Sequence, residues 1–178
     1  FEATAQFVGV ILVSAFRSNP AGFEPYRKKL RETMLKQNLN FEHASFGTWK
    51  VLVEYLGKQT RDLLFKKELG IDDAKHARAL CATMFVNPSL SLPRTLSRRG
   101  LARILSTTNK MRNDWSGHGG VVGPEDARIR HARLLAEVYK LREVVAGTWA
   151  EIELSGSDSG RLRKELFENH IKIYMGSN

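Results

Sequence analysis

Residues Ser45–Leu63 read SFGTWKVLVEYLGKQTRDL. Phe46, Trp49, Val53, Leu56, Thr60 and Leu63 recur at steps of three and four, the spacing of one face of an α-helix. Lys50, Glu54, Lys58 and Asp62 alternate in sign on the opposite face, at the four-residue interval that lets neighbouring turns pair. Ser45 stands where a hydroxyl can cap the first turn, and Gly70 closes the segment. An apolar stripe on a helix of about 20 residues has to be covered by other helices, so this stretch sets the expected fold: an all-α helical bundle.

Reading outward from it gives more helices. Residues 3–17 are apolar nearly all round, which predicts a buried helix; SNPAG (18–22) breaks it, and Pro25 starts a more polar, basic helix to Gln37. After Gly70, Asp72 caps a short helix to Phe85, and VNPSLSLP (86–93) reads as a loop. Thr95 caps a helix to Trp115 with Leu101, Ile104, Thr108 and Met111 on one face. GHGGVVG (117–123) is a glycine-rich break. Pro124, followed by Glu125 and Asp126, then opens a long helix in which Ala127, His131, Leu134, Val138, Leu141, Val145, Trp149 and Ile152 form the expected seam. Residues 1–154 are thus expected to form the bundle. Residues 155–178 are expected to comprise a hinge (SGSDSG), a short helix (RLRKELFENH) and a short C-terminal strand leading into a missing domain. A chain that starts at Phe1 rather than Met fits the same expectation of a piece cut from a longer protein.

Composition narrows the function. The 178 residues are 42% hydrophobic and 26% charged, as in folded domains and unlike disordered chains. The single cysteine, Cys81, excludes intrachain disulfides and thiolate-rich zinc sites. The longest apolar run, Phe7–Phe16, has ten residues and includes Gly9 and Ser14, too short for the roughly 20 that span a bilayer. No basic segment precedes it, as a secretory signal would require, so the expected location is cytoplasmic, with no membrane partner.

The net charge of +9 is unevenly distributed. Residues 1–73 carry 11 basic and 9 acidic side chains and residues 114–178 carry 9 and 10, so both flanks are near neutral. Between them, residues 74–113 hold Lys75, Arg78, Arg94, Arg98, Arg99, Arg103, Lys110 and Arg112 and no acid. Such a segment matches the footprint of a phosphate-backbone contact, and six of the eight are arginines, whose planar fork suits phosphate. A solvated helix face, or a patch paired with the flanks after folding, would look the same in sequence.

One local constellation carries chemistry. Arg112-Asn113-Asp114-Trp115-Ser116-Gly117-His118 places a fixed cation on the border of a buried helix face and an imidazole in the glycine-rich bend. An imidazole titrating near neutrality can take the proton of a ribose 2′-hydroxyl while a guanidinium stabilises charge on the phosphoryl oxygens. Asn113 could hold a phosphate oxygen or orient the imidazole. The same Arg and His also fit helix C-terminal capping with no catalytic role. His131 reads as a core histidine, His76 as surface, and Trp115 as bundle core or a base-stacking platform. No histidine pair or ligand set has metal-binding spacing, and the glycines lack the preceding strand of a dinucleotide loop.

RNDWSGHGG, between a helix and a long amphipathic helix, resembles the HEPN superfamily, all-helical domains defined by an R-x(4–6)-H motif with a polar residue, often Asn, after the Arg. The likeness covers residues 95–152. It implies a helical bundle of HEPN type, similar to modules of bacterial toxins and antiviral defence proteins, that homodimerises so that Arg and His of both protomers form one composite ribonuclease site. Carried onto this chain, it implies a metal- and cofactor-independent endoribonuclease with Arg112, Asn113 and His118 as catalytic residues and a 2′,3′-cyclic phosphate product. RNA is the implied partner, and the charge distribution, independently of the resemblance, leads us to expect that Lys75, Arg78, Arg94, Arg98, Arg99, Arg103 and Lys110 hold its phosphates. A non-catalytic RNA-binding or dimerisation module of a larger protein is the alternative.

Overall fold

The structure, a computed structural model, describes residues 1–65, 70–116, 122–149, 154–163 and 166–175. By contacts the chain divides into Phe1–Val144 and Val145–Asn178. In the first unit all regular structure is helical: α1 (Glu2–Arg17), α2 (Pro20–Leu35), α3 (Phe46–Phe65), α4 (Ile71–Met84), α5 (Ser91–Leu96), α6 (Arg99–Ser116) and α7, which starts at Pro124 and continues to Trp149. Among the described residues no helix is long and apolar enough to cross a membrane.

The amphipathic stretch is the hub. As α3 it packs against α1, α2, α4, α5 and α6. With neighbours on so many sides, Val51, Leu52, Gly57 and Leu64 are buried as well as Phe46, Val53, Leu56 and Thr60, a wider face than the sequence stripe. Ser45 and Thr48 cap the helix reciprocally: the Thr48 amide donates to Ser45 Oγ at 3.4 Å and the Ser45 amide to Thr48 Oγ1 at 3.2 Å. The alternating charges pair as expected, Lys50 with Glu54 at 3.4 Å and Lys58 with Asp62 at 3.1 Å. Where α1 crosses, a Cβ on Gly9 would stand 3.0 Å from Leu52 Cδ2 and 3.1 Å from the Trp49 ring, so glycine sets how closely these helices approach. A larger residue there has to push two packed side chains aside, at a cost of about 1–3 kcal/mol.

Several boundaries differ from expectation. The second helix starts at Pro20, not Pro25: Asn19 caps it by accepting from the Gly22 amide at 3.2 Å, Pro20 takes the first position, and Pro25 is carried inside. The fourth begins at Ile71, with Gly70 at its N-cap and Asp72 and Asp73 in its first turn, where their charge favours the dipole. Where the sequence predicts a loop to residue 93 and then a helix capped by Thr95, Ser91–Leu96 forms α5. Asn87 Oδ1 caps it through the Leu92 amide at 3.2 Å, and Pro93 lies in its first turn, where a missing N–H costs nothing. Thr95 accordingly sits within α5 and does not cap α6.

Helix α1 is not buried all round; Val10, Val13 and Arg17 line an open groove against α2. The larger correction concerns α7. Of the expected seam, Val145 is buried and Leu134 and Leu141 are half-buried, whereas Ala127, His131 and Val138 are exposed, so His131 is a surface residue and not a core histidine. The side with less solvent exposure carries Arg130, Leu134, Glu137, Leu141 and Val144, a face rotated from the predicted one. Its contacts explain the rotation. Arg98 Nη1 donates to the Val144 carbonyl at 3.1 Å, a Cβ on Gly100 would lie 3.4 Å from Val144 Cγ2, and at the other end the Arg130 guanidinium covers the Trp115 ring at 5.5 Å. These ties join α6 and α7 as antiparallel neighbours. They also occupy one face of Trp115, which weakens its reading as a base-stacking platform. Ile152 lies outside the described residues.

In the second unit, β1 (Leu154–Arg163) pairs antiparallel with β2 (Leu166–Met175), from Leu154 opposite Met175 to Arg163 opposite Leu166. This corrects the hinge expected at 155–160 and the short helix expected at 161–170. The C-terminal strand thus has a partner within the chain.

Candidate nucleic-acid interface

Helix α6 organises the basic segment. Leu101, Ile104, Leu105 and Thr108 are its buried face, and the Thr108 hydroxyl is satisfied by the Ile104 and Leu105 carbonyls at 2.9 and 3.2 Å. Arg99, Arg103 and Lys110, spaced by four and seven residues, fall on the opposite, exposed side with Ser106 between them and Asn113 beyond. Packing against α3 thus drives these cations to one solvent-facing stripe. The stripe is anchored at its start. Arg61 of α3 donates from Nη1 to the carbonyl of buried Ser97, just before α6. Burial, and then the neighbouring Arg99 charge, push the Arg61 guanidinium below its ordinary value.

The other basic residues stand elsewhere. Lys75 and Arg78 are exposed on α4, which packs on α3, and Arg94 is exposed on α5. Arg98 is committed in part to the Val144 carbonyl, so one of the expected phosphate contacts has a structural task. Among the described residues none of the eight cations of 74–113 forms an ion pair, whereas Arg27, Lys50, Lys58, Arg128 and Lys140 do. The patch is therefore not neutralised by the acidic flanks within the described residues.

Arg112 lies on the flank of the α6 buried face, one helical turn past Thr108, and this directs it to a cleft that the sequence did not disclose. The cleft, of about 240 Å³, is lined by Gln37, Leu39, Ser45, Gly47, Lys50, Val51, Asn109, Arg112 and Asn113. One wall is the first turn of α3, where the Gly47 amide has no partner among the described residues and the helix dipole presents its positive end. The other wall is the last part of α6 with its two asparagine amides. Lys50 adds a second cation, held beside Glu54, whose carboxyl burial raises above the usual carboxylate range against the pull of Lys50. Two cations, side-chain amides and a helix N-terminus around one polar cleft can hold an oxyanion such as a phosphodiester.

The structure thus places Arg112 and Asn113 together at this cleft. His118 and the bend 117–121 lie outside the described residues. Among the described residues no group of three His, Cys, Asp or Glu is placed to hold a metal ion. Cys81 is fully buried and its thiol is pushed up to about 11 by burial, so it is no nucleophile at neutral pH. Sequence reasoning missed Lys50, Gln37, Asn109 and Gly47. Asn109 stands one turn before Arg112 and Asn113 on α6 itself, and the approach of the α2–α3 connection and the α3 start to the α6 end brings Gln37, Gly47 and Lys50 to them. Comparison with known proteins finds no matching family model, curated protein or solved structure.

Proposed function

We propose that this chain is an RNA-binding domain of HEPN type that cuts single-stranded RNA without a metal, using Arg112, Asn113 and His118. The observation that carries the reading is the cation stripe of α6, without an ion pair among the described residues, adjoining the Arg112–Asn113 cleft. The stripe tracks the phosphate backbone and the cleft takes one phosphodiester. Within it Arg112 stabilises charge on the phosphoryl oxygens, Asn113 donates an amide to them, and His118 takes the 2′-hydroxyl proton. The 2′-oxygen attacks the adjacent phosphorus, and the 5′-oxygen leaves with a proton, giving a 2′,3′-cyclic phosphate and a 5′-hydroxyl.

The domain works as a homodimer in this proposal. Leu135, Val138 and Tyr139 lie together on one side of α7, the last two 45% and 57% exposed, and a second copy would cover them. Sedimentation of the protein with a fluorescent single-stranded RNA reads both parts at once. A complex holding two protein chains is expected. A complex with one chain would remove the dimer, and RNA sedimenting alone would remove RNA binding. A protein dimer without RNA would favour a dimerisation module instead.

A further inference from the structure

A second concave surface borders the Arg112 cleft, the two sharing Leu39 as a lining residue. Between α1, α2 and the segment leading to α3 runs a groove of about 780 Å³. Its floor is firm: Leu30, Met34 and Leu52 are buried, and Trp49 meets Phe41 edge-on with ring centroids 6.0 Å apart. Its rim is apolar but open. Val10, Leu35 and Phe41 are 49%, 61% and 51% exposed, so a covering partner would bury side chains that water now reaches.

Three features choose the occupant. The α2 wall extends from Phe23 to Leu35, about 18 Å of helix at 1.5 Å per residue, which matches about three turns of a partner helix. The open rim would leave one side of any occupant in water. That suits an amphipathic helix laid lengthwise, and suits less well a small apolar ligand, which needs most of its surface enclosed. Arg17, Arg27 and Arg31 line the groove against a single acid, Glu42. Arg27 is paired with Glu24 at 2.8 Å, while Arg17 and Arg31 have no ion pair among the described residues. A second copy of this chain offers α7 as its exposed apolar helix, but α7 carries Arg128, Arg130, Arg133, Lys140 and Arg142 against Glu125, Asp126, Glu137 and Glu143, so it lacks the net negative charge these arginines select.

We infer that the α1–α2 groove is a docking site for an amphipathic helix of a partner protein whose apolar face is flanked by acidic residues. The apolar floor supplies the affinity, and Arg17 and Arg31 select for negative charge and speed encounter. The groove shares Leu39 with the Arg112 cleft but none of its cations, so peptide docking is expected without RNA.

The test uses a fluorescein-labelled helical peptide of about 16 residues with leucines at i, i+3, i+4 and i+7, flanked either by glutamates or by lysines. The glutamate peptide is expected to bind the full chain at least about tenfold more tightly than the lysine peptide at low salt, with the preference shrinking as salt rises. Val10→Glu and Leu35→Glu alter exposed positions, so circular dichroism should show an unchanged fold, yet each should weaken glutamate-peptide binding by roughly tenfold. Reversing Arg17 and Arg31 together to glutamate should transfer the preference to the lysine peptide. Absence of binding by either peptide, equal binding of the two, or binding indifferent to Val10→Glu would overturn the inference. So would self-association of the wild type that Val10→Glu abolishes, since a second copy would then fill the groove.

Discussion

Replacing His118 with alanine is expected to slow RNA cleavage by roughly 10²–10⁴-fold, the size of a general acid–base contribution, while leaving RNA bound. Arg112→Lys is expected to fail nearly as badly. Both side chains carry a positive charge, but the guanidinium presents a rigid fork that can grip two phosphoryl oxygens together, and an ammonium does not. Lys50 already supplies a point charge at the cleft, so a second point charge in place of Arg112 adds field without adding geometry. Asn113→Ala should cost less, because it removes one neutral donor among several. The assay is cleavage of a uniformly labelled single-stranded RNA in the presence of EDTA, with the product ends identified. A 2′,3′-cyclic phosphate is expected from the wild type. Unchanged cleavage by His118→Ala, or loss of wild-type cleavage on chelation, would refute the mechanism. A wild type that binds RNA and never cuts it would leave a binding module.

The second large effect concerns the α6 stripe. Charge reversal of Arg99, Arg103 and Lys110 to glutamate should make the salt dependence of single-stranded RNA binding shallower by about 2 in the log–log slope, at about 0.7 per phosphate contact. These positions are exposed and have no ion pair among the described residues, so the bundle should melt almost as the wild type does. Arg98 is the informative contrast: its bond to the Val144 carbonyl holds α6 to α7, so Arg98→Glu should lower thermal stability as well as affinity. Reversal of Lys58 and Lys140, which already have carboxylate partners, should barely alter RNA binding. An unchanged slope in the triple variant would show the stripe to be an ordinary solvated face.

What the sequence made legible is what depends on local periodicity. The stripe Phe46, Val53, Leu56 and Thr60, the Lys50–Glu54 and Lys58–Asp62 pairs, the Ser45 cap and the buried Leu101–Ile104–Thr108 face all follow from residues within a turn or two of one another. The misreadings share a different origin. From sequence alone the second helix starts at Pro25 and Pro93 falls in a loop, yet Pro25 rides inside α2 and Pro93 sits in a first turn, where its lost donor is harmless. In α7 the apolar residues are spread around the helix, so its orientation is decided by its ties to Trp115, Gly100 and Arg98 and not by its own pattern. The strand Leu154–Arg163 is rich in Ser and Gly and has little strand propensity of its own; pairing with Leu166–Met175 defines it. The candidate site divides the same way. Arg112 and Asn113 stood out by their spacing to His118, but apart from Asn109 the rest of their cleft comes from the α2–α3 connection and the start of α3, and no local pattern announces that meeting.

The central claim is that single-stranded RNA lies along the exposed stripe of α6 and reaches the Arg112 cleft. Photo-crosslinking of a 4-thiouridine-substituted RNA to the His118→Ala variant, which should hold the substrate uncut, followed by mass spectrometry of the linked peptides, tests it most directly. The account predicts crosslinks concentrated in residues 99–116 and in the first turn of α3, with loss of the α6 set in the Arg99, Arg103 and Lys110 reversal. Crosslinks confined to α4, to the α1–α2 groove or to α7 would contradict it.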